Sequence, residues 1–194
     1  MGMIMRIGLA ALAAFALMGS AALADDATVP WGDGTVAGWD IAIDQTLGGG
    51  CYILAEFDGS TIIRIGFDPS NSDYYLMLAD DDWKSIEADK DYALTLTLGK
   101  RQPWDATATG MMMGDQPTLI VRSTDTDFLD EFASQQNIKV EYDGSQIANL
   151  NLDGSSAAIS EMINCQDTVN KSSGNKGDPF QKAGTKGGGD PFAN

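Results

Sequence analysis

The chain contains no histidine, and this absence removes more chemistry than any residue present supplies. Ser-His-Asp and Cys-His nucleophilic systems need an imidazole base, and the common zinc centres rely on histidine or on several thiolates. Cysteine is nearly as scarce: Cys51 and Cys165 are the two in 194 residues. Basic residues are few as well, with 12 Lys and Arg against 28 Asp and Glu and a formal net charge of −16. Phosphate backbones are bound by clustered Lys and Arg, so nucleic acid and anionic lipid are poor partner candidates. Such an acidic balance serves solubility and favours a basic protein as partner. No catalytic residue, cofactor or metal ligand is assigned.

Long apolar runs are confined to the N-terminus. Arg6 is followed by an apolar stretch to Leu17, then Gly19, Ser20 and Ala22-Leu23-Ala24 before Asp25-Asp26. A basic start, an apolar middle and an A-x-A site are the pattern of a cleavable secretory signal peptide over residues 1–24. A retained membrane anchor is the alternative for that stretch. No cysteine stands at the cleavage site, which argues against a lipoprotein. The mature chain, with no membrane-spanning segment, is expected in the periplasm or outside the cell. An oxidising compartment makes a Cys51–Cys165 disulfide the expected pairing.

What is present from Trp39 to Leu152 is mostly period-two alternation. Trp39, Ile41 and Ile43 alternate with Asp40, Ala42 and Asp44, and Tyr92, Leu94, Leu96 and Leu98 alternate with Ala93, Thr95 and Thr97. This is the signature of strands buried on one face. Further strands are predicted at 51–57, 61–67, 74–79, 105–113, 118–122, 138–142 and 146–152. Asp58-Gly59 and Asp143-Gly144 accept the positive φ angles of two-residue hairpins, so antiparallel pairs are expected at both. Phe128, Leu129, Phe132 and Ala133 fall on one helical face, and a second helix is expected from about 153–155, carrying Ala158, Ile159, Met162, Ile163 and Cys165. The fold class is therefore mainly β: an antiparallel sandwich or barrel with one or two short helices, in a globular domain spanning 25–166.

Residues 167–194 are rich in Gly, Ser, Lys and Asn and hold little that could form a core, so a disordered tail is expected. It carries two copies of an Asp-Pro-Phe element, Asp178-Pro179-Phe180 and Asp190-Pro191-Phe192, each after a glycine. These are a candidate docking motif or sticky points on a spacer.

Several other features are candidate sites. Glu56, Glu87, Glu131, Glu141 and Glu161 could supply a glycosidase-like carboxylate pair, or simply face solvent. Asp80-Asp81-Asp82 and the turn from Asp68 to Asp73 offer oxygen ligands but do not follow the EF-hand spacing. Met111-Met112-Met113 alternates faces on a strand, which suits core filling plus one exposed methionine better than a copper site. Gly48-Gly49-Gly50 precedes a strand and lacks a following Lys-Ser/Thr, so it is no phosphate loop. Trp39 fits the apolar register of its strand, whereas Trp83 and Trp104 lie in or beside turns and are the candidate binding tryptophans.

The early tryptophan, Gly50-Cys51-Tyr52, the alternating strands and the closing Gly154-Ser155 to Cys165 segment resemble small exported envelope proteins of Gram-negative bacteria, including the invasion-associated locus B group. The cysteine pattern departs from that group's. The resemblance implies a role in host association and no catalytic motif. These features point to an exported, non-enzymatic binding or interaction protein of the bacterial envelope, directed at a basic protein. A structural or assembly accessory docking through its C-terminal tail is the alternative, and a carboxylate-dependent hydrolase is a third reading.

Overall fold

The computed structural model describes residues 27–57 and 60–174. The signal segment 1–24, Asp58-Gly59 and both Asp-Pro-Phe elements lie outside the described residues. The strands are β1 (Thr28–Val36), β2 (Trp39–Asp44), β3 (Gly50–Phe57), β4 (Thr61–Asp68), β5 (Asp73–Ala79), β6 (Asp91–Leu98), β7 (Trp104–Met113), β8 (Gln116–Ser123), β9 (Asn137–Tyr142) and β10 (Ser145–Asn151). Helices α1 (Asp127–Ser134) and α2 (Ser155–Gly174) and a short 3-10 turn at Gln45–Leu47 complete the described elements.

All ten strands join one antiparallel sheet in the order β1-β2-β3-β4-β5-β8-β7-β6-β9-β10. It does not close into a barrel. Alternation places one residue of every two on the inner face, and the register aligns them: Ile41, Ile53, Ile65, Leu76, Val121, Ala108 and Tyr92 form one cross-strand row. Phe128, Leu129 and Phe132 of α1 and Ala158, Ile159, Met162 and Cys165 of α2 bury against this face in the main core. Each fully buried Leu or Ile there contributes about 1.5–3 kcal/mol.

Strand β1 is an element that the alternation does not reveal. Pro30, Gly32 and Gly34 interrupt its sequence, and its pairing with β2 shifts between Pro30 and Thr35. Its place comes from outside contacts: the Trp31 indole N–H donates to Glu161 Oε1 of α2 at 2.7 Å. Nearby, the Trp39 indole N–H donates to the Asp153 carbonyl at 3.0 Å. At Gly154, φ is +83° and a side chain would collide with the Ala37 carbonyl. Glycine there lets the start of α2 lie on the β1–β2 turn.

Cys51 and Cys165 are bonded, with Cα atoms 6.1 Å apart. The bridge pins α2 to the inner face of β3, and the Gln166 side-chain oxygen accepts from the Cys51 backbone N–H at 2.8 Å.

Two local expectations change. The β3–β4 turn holds three residues, because Phe57 pairs with Thr61 and Ser60 takes φ +69°. Of the two Asp-Gly pairs, it is Asp143-Gly144 that makes a two-residue turn, between paired Tyr142 and Ser145 at φ +50° and +70°. The last helix does not stop at Gln166 but continues to Gly174. Val169 packs against the core, and the Thr168 and Ser172 hydroxyls each donate to the carbonyl four residues earlier, so this polar stretch follows the helix already anchored by Cys165.

Candidate functional site: a cleft where two strands part

β7 and β8 pair from Met113↔Gln116 to Ala108↔Val121, and there the ladder ends. Both strands continue. β7 stays on β6 as far as Leu96↔Trp104, and β8 stays on β5 as far as Tyr74↔Ser123. In an antiparallel strand successive residues direct their N–H and C=O to opposite neighbours. Alternate residues of Trp104–Thr107 and of Arg122–Ser123 therefore aim main-chain groups into the space between the strands.

Aromatic packing holds the two strands apart. The Trp104 ring meets Phe128 edge-on with centroids 5.6 Å apart, and its indole N–H donates to Glu131 Oε2 at 2.9 Å. β8 leaves the sheet after Ser123 to start α1, and the Tyr74 hydroxyl donates to the Asp125 carbonyl at 2.7 Å, fixing that exit. Tyr74 and Phe128 stack at 6.4 Å. Burial, reinforced by the Asp125 charge, raises the Tyr74 pKa above the ordinary tyrosine value.

The result is a cleft of about 230 Å³. Tyr74, Leu76, Leu96, Trp104 and Phe128 form its apolar floor, and Asp105, Thr107, Arg122 and Ser123 its mouth. Asp105, at the mouth, is exposed. Arg122, the cation at the mouth, is already engaged: its Nη1 lies 2.7 Å from Asp68 and 3.0 Å from Asp73. Burial works against the charge of Asp68, but hydrogen bonds from Asn71 and Arg122 outweigh it and hold its pKa below the usual carboxylate range.

The other arginine of this outer face, Arg64, is likewise committed. It lies 2.5 Å from Asp44, donates through Nε to the Tyr75 hydroxyl at 2.8 Å, and sits 3.6 Å over the Tyr52 ring. Burial opposes the Asp44 charge, yet hydrogen bonds from Thr46 and Arg64 lower its pKa. At the mouth, Asp105 and the Asp68 and Asp73 carboxylates together outnumber Arg122, above an aromatic floor.

Of the two candidate tryptophans, Trp104 forms the cleft and Trp83 does not. Trp83 is partly buried against the core beyond β5, where the Asp80 N–H donates to the Pro117 carbonyl. That is the opposite end of the β7–β8 hairpin, about 20 Å along the strands. Four of the glutamates considered for acid/base work are engaged in separate places: Glu131 and Glu161 accept from tryptophan indoles, Glu141 pairs with Lys139, and Glu87 with Lys90. Met111 packs against a small outer cluster, while both Met112 and Met113 are exposed, one more than expected. Tyr74, Phe128 and Arg122 were not singled out by sequence, because each looks like an ordinary strand or helix residue.

Fold and cleft together define a disulfide-pinned, mainly β protein with one aromatic recess in an acidic surround. No protein-family model matches the chain, and no curated protein does. Among solved structures it is similar to the crystal structure of invasion associated protein B from Bartonella henselae, at 13% identity and a TM-score of 0.49, covering 69% of this chain and 96% of that one. Among the described residues no helix is long and apolar enough to cross a membrane.

Proposed function

We propose that this is an exported, non-enzymatic binding protein of the bacterial envelope that receives a cationic, aromatic-bearing segment of a basic partner protein in the β7–β8 cleft. One observation carries the reading: the cleft combines an aromatic floor, an acidic mouth and main-chain groups left without a strand partner. An aromatic anchor in a desolvated pocket supplies affinity, and complementary charge around it speeds encounter. Main-chain groups facing the gap suit an extended segment, which pairs with a strand edge through its own backbone. The export leader and the disulfide support a periplasmic or secreted location.

The test is binding of the mature protein to cationic envelope-active proteins, lysozymes among them, across a salt series. Association that weakens strongly between low salt and about 0.5 M, as exposed charges become screened, supports the reading. Affinity indifferent to salt, or binding unchanged in Trp104→Ala, overturns it.

A further inference from the structure

We infer that the cleft has an occupant within the same chain: the Lys176–Lys182 segment, with the Phe180 ring seated on the floor formed by Tyr74, Trp104 and Phe128. The inference rests on the cleft being the binding site proposed above, and it adds an intramolecular competitor to that site.

Three observations carry it. First, charge is divided unevenly along the chain. Residues 171–194 contain Lys171, Lys176, Lys182 and Lys186 against Asp178 and Asp190 alone, in a protein of net charge −16. This short basic stretch matches the acidic mouth of the cleft. Second, the first Asp-Pro-Phe element has the composition the cleft would recognise. Phe180 lies between Lys176 and Lys182, whereas Phe192 has no cation closer than Lys186. A cavity of about 150 Å³ lined by apolar side chains accepts a benzene ring. The cleft, at about 230 Å³, has room for a phenyl group.

Third, α2 ends beside a groove that leads to the cleft. Gln166 and Asn170 of α2 share a groove with Phe67, Thr124, Thr126 and Tyr74, and Tyr74 also lines the cleft. Asn170 to the helix end at Gly174 is about 6 Å at helical rise. The six residues from Gly174 to Phe180 span up to about 20 Å when extended. A return along that groove would carry Phe180 toward the floor, its flanking lysines toward Asp105, and its backbone toward the open edge of β7.

The occupant is held weakly and released by a better one. A tethered segment at millimolar effective concentration occupies a site of millimolar intrinsic affinity only part of the time. Partner binding would then be about 2–5-fold tighter once the anchor is removed.

The experiment uses the full mature chain and follows the Trp104 indole N–H by NMR. Phe180→Ala, and separately the Lys176→Ala/Lys182→Ala pair, should shift that resonance, while Phe192→Ala should leave it in place. A synthetic peptide of residues 175–182 added to the Phe180→Ala protein should restore the original position at millimolar concentration. A resonance untouched by Phe180→Ala, together with no response to the peptide, overturns the inference. If a basic partner still shifts Trp104 in that case, the proposed function stands without the internal competitor. If the Phe180-dependent shift grows with protein concentration, the segment docks into a second copy, and occupancy within one chain is overturned.

Discussion

Tyr75 lies across Gly66: the two residues pair between β5 and β4, and the tyrosine hydroxyl sits 2.7 Å from where a Gly66 Cβ would stand. The Tyr52 Cβ is 2.5 Å from the same point. The missing side chain lets Tyr75 cover the outer face of the sheet and reach Arg64, which donates to it. Burial then pushes the Tyr75 pKa well above the ordinary tyrosine value despite the nearby guanidinium. One glycine thus makes room for a polar cluster on the face opposite the main core.

Gly66→Ala should destabilise the protein by about 1–3 kcal/mol, the usual cost of overpacking. Tyr75→Phe should cost about 1 kcal/mol, because it removes an acceptor from Arg64 but keeps the ring. Denaturant melts measure both. An alanine variant as stable as the parent would show that Tyr75 can move aside.

Acid should weaken the fold through Asp44 and Asp68. Their folded pKa values lie below those of the unfolded chain, so their contribution is complete above about pH 4 and is lost as pH falls through the folded values. Asp68→Asn should lower Tm at pH 7 but by progressively less toward pH 2. Tm measured across that range decides it: a constant deficit would assign the effect to shape instead of charge.

Reducing the Cys51–Cys165 bond should cost about 4–5 kcal/mol in the chain-entropy description, given a separation of 114 residues. The measurement is urea unfolding with and without reductant, checked against a Cys51→Ala/Cys165→Ala protein. Two alkylatable thiols in protein isolated without reductant would refute the bond.

Cutting the chain after Gly174 should leave Tm nearly unchanged, whereas cutting after Gln166 should lower it by several degrees. The difference lies in residues 167–174, which carry Val169 onto the core and the last helical hydrogen bonds. Val169→Ala in the full chain should reproduce part of the loss, about 1 kcal/mol for a half-buried side chain.

At the cleft, Trp104→Ala should weaken partner binding tenfold or more, about 1.4 kcal/mol. Trp104→Phe should lose less, since it keeps an aromatic floor and gives up only the bond to Glu131. Trp83→Ala, at the far end of the hairpin, should leave affinity within twofold. The opposite ranking, from calorimetry at fixed salt, would move the binding face to the Asp80–Trp83 end.

Much of the fold is legible along the chain because alternation is a local property. The apolar residues of β2, β6 and β9 advertise a buried face whatever they pair with, and Asp143-Gly144 advertises its turn through its own φ angles. The amphipathic face of α1 is equally local. Cys51 and Cys165 were pairable by count alone, once an oxidising compartment was expected. β1 escaped because Pro30, Gly32 and Gly34 mask it and its anchors, Glu161 and the α2 turn, lie more than a hundred residues away.

The cleft was half visible. Trp104 stood out as a tryptophan beside a turn, but nothing near it in sequence announces Tyr74 or Phe128. The alternation of β7 runs unbroken past the point where the strands separate, so no pattern in it marks the gap. Composition and short-range period were enough for the antiparallel β class, the Cys51–Cys165 pairing and the net acidity of the chain. Tertiary structure alone decided where the β7–β8 ladder stops, because Trp104, Phe128 and the exit of β8 into α1 compete for the same volume, and that competition exists only once distant segments are packed together.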